Sequence, residues 1–228
     1  MSTLPTTVLV TFLTLVITSG ARADLPSEAG SLERVVQTLV TPPGVPEHTQ
    51  VAAGPPKVVQ VRLTVIEKEL EIGGGAYVQA MTFNGSVPGP LIVIHQNDYQ
   101  EITLVNSESN TFLHNIDFHA ATSAMGTGGL AKVIPGQEVA VRFKATKTGI
   151  FAYHCAPGSL MTPYHVVTGM NGSVMVLPRD GLKDNRGNTI EYDRAFYIGE
   201  QGFYVPHDNC LWPDIDLVPE PPREITLR

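Results

Sequence analysis

The sequence predicts an all-β protein, an antiparallel sandwich or barrel of about 120 residues between Val58 and Pro178. Three observations carry that expectation. Short Val-, Ile- and Thr-rich runs alternate apolar with polar residues. Gly, Pro or Asn closes each run, in a chain that holds 21 Gly and 18 Pro. No run in that span repeats with the period of a helix. The elements follow in order as VVQVRLTVIE (58–67), LIVIHQND (91–98), QEITLVN (100–106), VAVRFKA (139–145), GIFAYHC (149–155) and GSVMVLP (172–178).

At 228 residues, 43% hydrophobic and 16% charged, the chain has room for one large domain or two small ones. A formal charge of −7 argues against an electrostatic nucleic-acid binder. Two cysteines exclude a disulfide-built framework. Collagen-like, coiled-coil, disordered and multi-span membrane compositions are excluded as well, and there is no internal repeat.

Outside the β region the chain divides into three parts. Val8 to Ile17 is an uncharged apolar run followed by Ala21-Arg22-Ala23, a cleavage signal of the A-x-A kind. Residues 1–23 therefore read as a secretory signal peptide cut before Asp24, although Met1–Thr7 carries no Lys or Arg. Ten apolar residues are too few to span a bilayer, so the expected compartment is the periplasm. Asp24 to Lys57, rich in Pro, Gly, Thr and Ala, reads as an extended arm. After Arg179 a charged turn (DGLKDNRGN) leads to one more expected strand, RAFYIGE at Arg194–Glu200. Val205 to Arg228 holds five prolines and reads as a linker.

The chemistry is concentrated in two segments. One is Thr111-Phe-Leu-His114-Asn-Ile-Asp117-Phe-His119; the other runs from Tyr153-His154-Cys155 to His165 and on to Gly169-Met170. Successive side chains of a strand point to opposite faces. The adjacent His154 and Cys155 thus belong to different sites, and His114 and His119, an odd number apart, face opposite ways. One site takes Cys155, His165, Met170 and one of the early histidines; the other takes His154 and the remaining one. Cys, two His and Met form the donor set of a blue-type copper centre, with thiolate and imidazoles in the plane and a weak axial thioether. Zinc would not select the Met, and structural zinc sites favour two or more Cys. The second site offers only imidazoles, which suits copper with an open position for a small oxygen donor. Asp117 shares the face of His119, where a carboxylate could relay protons.

Plainer roles compete for several residues. His48, His95 and His207 lack ligand-spaced neighbours and read as hydrogen-bonded core or surface histidines. Cys155 could pair with Cys210 in an oxidising compartment. Met125, Met161 and Met175 read as filler, with Met161 the rival of Met170 for the axial role. Asp117 could instead hold a turn or orient a histidine.

Over roughly Lys57 to Pro206 the chain resembles the copper-containing, NO-forming nitrite reductases. The segments that carry the resemblance are FNGSVPGPLIVIHQND, ITLVN, HNIDFHAA, GIFAYHCAPG, PYHVVTGMNGSVMVLPRDGL and YIGEQGFYVP. It implies a cupredoxin-like Greek-key fold over 58–178, two cupredoxin domains per chain and a homotrimer. His114, Cys155, His165 and Met170 match the type 1 copper ligands, His119 and His154 match two of three type 2 copper ligands, and Asp117 matches the catalytic aspartate. The third type 2 histidine and a second catalytic histidine are implied to come from the second domain across a subunit interface. The tail HDNCLWPDIDLVPEPPREITLR does not resemble the family's continuation. Residues 179–228 are therefore expected to be the start of that domain with a truncated or divergent tail. The implied activity is one-electron reduction of nitrite to nitric oxide in denitrification, fed by a small periplasmic cytochrome c or cupredoxin. The alternatives are a single-domain cupredoxin electron carrier, an inactive remnant, or a fragment of an oxygen-reducing multicopper oxidase. Against the last, Ala156 stands after Cys155 where a trinuclear cluster takes a histidine.

Overall fold

The computed structural model of the chain describes residues 29–122, 129, 131–158, 160–205 and 223–227. The expected signal peptide, Met125, His207 and Cys210 lie outside them. Among the described residues no helix is long and apolar enough to cross a membrane.

The strands are β1 (Arg34–Val36), β2 (Val58–Gly73), β3 (Ala76–Phe83), β4 (Ile92–His95), β5 (Tyr99–Asn106), β6 (Asp117–Phe118), β7 (Glu138–Lys144), β8 (Gly149–His154), β9 (Asn171–Leu177), β10 (Gln201–Val205) and β11 (Arg223–Leu227). Two short helices, α1 (His119–Thr122) and α2 (Met161–Val167), interrupt them. One sheet has the order β1-β2-β5-β7 with β3 also on β2; the other has the order β4-β9-β8-β6. The chain passes between these sheets at every connection from β3 to β8. The all-β sandwich is as expected.

Period-two burial explains why the sheets stack. Val59, Val61, Leu63 and Val65 on β2, with Ile102 and Leu104 on β5, turn one apolar face inward. Ile92 and Ile94 on β4, Tyr153 on β8, and Val174 and Val176 on β9 meet them from the other sheet. Both faces belong to a single buried cluster, which also contains Cys155 and Met170. Cys155 and Met170 are therefore part of the main core, where displacement costs packing.

Several expectations are corrected. β1–β2, β2–β5 and β4–β9 pair in parallel, so the sheets are mixed rather than antiparallel. Alternation along a run reports burial, not the direction of a neighbour. β3 does not stand out in the sequence, because its buried residues are the small Ala76 and Ala80 and the unbroken run Met81, Thr82 and Phe83, which shows no period-two alternation. α2 occupies a span read as free of helix; Pro163 is tolerated in its first turn, where no intrahelical acceptor awaits its nitrogen. Arg194–Glu200 is not a strand. Phe196 and Ile198 are 68% and 72% exposed, and only Tyr197 is anchored, its N–H donating to Pro43 O and its hydroxyl to Ser173 Oγ. The expected linker from Val205 on contains β11, antiparallel to β10. In the arm, Arg34–Val36 adds to β2.

A charged cluster ties the first sheet together. Glu101 Oε2 accepts from Arg34 Nη2 at 2.7 Å and Arg142 Nε at 2.6 Å, and Oε1 accepts from Gln60 Nε2 at 2.6 Å. Burial alone would raise the Glu101 pKa, but the hydrogen bonds from Arg142 and Gln60 hold it below the ordinary 4.5. A carboxyl depressed in the folded chain contributes stability above its unfolded pKa, lost as pH falls through the folded value. Glu101→Gln is expected to cost about 1–3 kcal/mol at neutral pH. It should also flatten the acid limb of melting temperature against pH as pH falls below the ordinary 4.5 of a glutamate, read by circular dichroism.

Candidate metal centres

The first centre is assembled from four places in the chain. Asn106 Nδ2 donates to Phe112 O and Val133 O, and Asn110 Nδ2 donates to Asn106 Oδ1 and Val65 O, pinning the loop after β5. His114 follows, with its backbone bridged to Val133 through His114 N–H to O at 3.0 Å and the return bond at 2.8 Å. Cys155 directly follows β8, His165 lies in α2, and Met170 precedes β9. Gly169, at φ +119°, turns the chain out of α2 so that Met170 can reach the site. Met170 N–H donates to His165 O at 3.0 Å, and Met170 O accepts from Cys155 N–H at 3.1 Å.

All four side chains are buried. Cys155 Sγ lies 3.2 Å from His165 Nδ1 and 3.8 Å from His114 Nδ1, and the two rings are 4.9 Å apart. The three donor atoms lie within 4.8 Å of one another. Met161 is 40% exposed and Met175 packs in a different cluster, whereas Met170 is fully buried in the cluster that contains Cys155 and is tied to it through the backbone. Burial pushes the Cys155 thiol up to about 12, opposed by the Asn115 N–H. Burial and the neighbouring His114 push His165 down to about 4, opposed by Glu67; burial also lowers His114. Neutral imidazoles and a desolvated thiol converging on one point are what a soft cation requires, since binding it supplies the charge that deprotonates the sulfur.

The second centre lies on the other side of the β8 end. Asp117 stands opposite His154 in the β6–β8 register, and His119 opens α1. His119 Nε2 and His154 Nε2 are 3.1 Å apart with the rings at 78°, and the Asp117 carboxylate completes a group within 4.8 Å. Asp117 is buried, and both histidines are half-buried.

The structure thus brings together the residues the sequence groups, and it places His114 with Cys155 and His119 with His154. His48 holds Pro46 O and Tyr192 Oη at 2.7 Å, and His95 is buried beside Asp98; both lie away from the two centres. Cys155 is a free cysteine. Two neighbours were missed. Asn115 Oδ1 accepts from Ala156 N–H at 2.6 Å and lies 3.3 Å from Cys155 Sγ; its position beside His114 was the available signal. Glu67 Oε1 lies 2.8 Å from His114 Nε2, and nothing local in its charged run marks it.

A family model described as multicopper oxidase matches residues 64–181. The chain belongs to that multicopper oxidase family. Within it, the chain is 56% identical over 188 residues to the copper-containing nitrite reductase of Alcaligenes faecalis, covering 82% of this chain and 50% of the relative. To the enzyme of the same name from Rhizobium meliloti (strain 1021) it is 58% identical over 179 residues, covering 78% and 47%. Among solved structures, the copper nitrite reductase from Nitrosomonas europaea at pH 8.5 superposes with TM-score 0.50 at 35% identity, covering 54% of this chain and 43% of that one. The copper-containing nitrite reductase from Thermus scotoductus SA-01 gives 0.51 at 30% identity, covering 57% and 30%. This chain spans about half the length of the curated relatives it matches. Thiolate, imidazole and buried thioether at the first centre fit the copper in those relatives' names.

Proposed function

We propose that this chain forms the two copper-holding sites of a periplasmic, NO-forming nitrite reductase. His114, Cys155, His165 and Met170 would hold type 1 copper. His119 and His154 would supply two of the type 2 ligands, with the third from a second cupredoxin domain of a neighbouring subunit in a homotrimer. The observation that carries this reading is the His154–Cys155 peptide: one bond joins the two donor clusters across the end of β8. A simple electron carrier has no use for the second cluster.

Copper held by these residues would supply one-electron chemistry between a small cytochrome c or cupredoxin on the Cys155 side and nitrite on the His154 side. The chain's own residues do the rest. The Cys155–His154 backbone gives the electron a short covalent path. Asp117, buried opposite His154, orients the anion and passes protons. Nitrite, two protons and one electron give nitric oxide and water.

The test is nitric oxide release from nitrite by the purified, copper-loaded chain with an artificial reductant. Release supports the reading. No release from protein that shows intense thiolate-to-copper absorption would leave this chain as the electron-transfer part alone. His119→Ala is expected to keep that absorption while one copper per chain is lost and nitric oxide release falls to background. Unchanged copper content would sink the two-site reading.

A further inference from the structure

Glu67 sits on β2, in the opposite sheet from the strand that leads to Cys155. Its carboxylate gathers three donors from the segment that presents His114. Oε2 accepts from Thr111 N–H at 2.9 Å, and Oε1 accepts from Phe112 N–H at 2.8 Å and from the His114 ring at 2.8 Å. Glu67 N–H donates in turn to Asn110 Oδ1 at 2.9 Å, so main chain and side chain of one residue grip the whole 110–114 stretch. Among the described residues no Lys or Arg pairs with this carboxylate; its side-chain partner is the His114 ring.

An ionised carboxylate can only accept hydrogen bonds. The ring proton of neutral His114 must therefore lie on Nε2, which leaves Nδ1 bare and facing Cys155 Sγ. Among the described residues His165 has no such partner: its Nε2 is buried without a hydrogen bond, and Phe112 and Tyr164 flank its ring edge-on. The two imidazoles of the centre are thus held by different means, one by a charge and one by packing.

We propose that Glu67 is a positioning residue of the Cys155 centre: it fixes His114 as the Nε2–H tautomer, aims Nδ1 at the sulfur, and lowers the reduction potential of copper held there. The carboxylate polarises the imidazole towards imidazolate, which makes it a stronger donor to the oxidised metal than to the reduced one. The last part rests on the copper reading given above; the tautomer does not.

The experiment has two arms on the full chain. In the metal-free protein, nitrogen-15 NMR of the histidine rings is expected to show His114 as the single Nε2–H tautomer; the Nδ1–H form overturns the proposal without touching the copper reading. In the copper-loaded protein, Glu67→Gln is expected to keep the thiolate-to-copper absorption and raise the midpoint potential above wild type. Glu67→Ala should raise it too and weaken copper affinity about 10–100-fold. A loss of melting temperature in both variants with the potential unmoved would make Glu67 a structural tie only, and overturn the assignment. Should Glu67→Ala fail to fold, Glu67→Gln and the wild-type tautomer still decide. Absence of the absorption from wild type would instead count against the copper reading, with the tautomer measurement still standing.

Discussion

Cys155→Ala is expected to abolish the intense visible absorption of the copper-loaded chain and bring nitric oxide release to background. Sγ is the sulfur both imidazole Nδ1 atoms face, at 3.2 and 3.8 Å, and no other described cysteine exists to replace it. Met170 cannot substitute, because a thioether carries no charge and binds copper weakly. The fold should survive. The substitution removes one buried atom and leaves the Asn115 N–H, 3.4 Å from Sγ, without that acceptor, a cost of about 1–2 kcal/mol. That is small against the 5–15 kcal/mol typical of domains. Absorption spectroscopy with copper analysis, run beside thermal unfolding, separates loss of the centre from loss of the fold. An absorption band that persists in the variant would place the chromophore elsewhere and refute the assignment of Cys155.

The difference between what was legible in the sequence and what was not follows from the range of the interactions. His154 and Cys155 divide between two sites because adjacent side chains at a strand end point to opposite faces; His114 and His119 divide although only Asp117–Phe118 between them is strand, with α1 beginning at His119. Met170 is preferred to Met161 from its spacing after His165 alone, and α2 leaves Met161 at the surface. Asn115 touches the sulfur from a place next to His114, so its neighbourhood gave a hint. Glu67 reaches His114 from 47 residues away and stands in a run, EKELE, that reads as an exposed charged edge. Pairing between strands distant in sequence is equally silent: nothing in VVQVRLTVIE says that QEITLVN runs parallel to it. At Arg194–Glu200 the alternation was present, but only Tyr197 found a surface to pack against, and the strand begins after it.

Gly172→Ala should damage both centres at once, through the wedge that sets the His154–Cys155 peptide. Tyr153 precedes that peptide, is fully buried, and donates its hydroxyl to Pro90 O at 2.6 Å. Its ring packs edge-on against Phe83 at 5.3 Å and tilted against Phe118 at 5.5 Å. Gly172 is the residue opposite Tyr153 in the β8–β9 ladder, and a methyl group there would overlap the ring at Cζ and Oη. The Gly89 backbone also crowds the ring's polar end, since a Cβ built there would come within 2.9 Å of the same hydroxyl and of Phe83 Cβ. The ring must leave its pocket or β8 must slide on β9. Overpacking of this kind costs about 1–3 kcal/mol, and expelling a buried aromatic about 3–5. A loss near 3 kcal/mol lowers the melting temperature by roughly 6–12 °C for a chain of this size. The distinguishing result is correlation: both coppers and the visible absorption should weaken together, whereas Cys155→Ala empties one centre in an intact fold. Unchanged melting temperature with both centres retained would mean that the ring relocates freely. The hold on the His154–Cys155 peptide would then come from the pairing of His154 with Asp117 and Asn171 and from the Cys155 N–H bond to Met170 O.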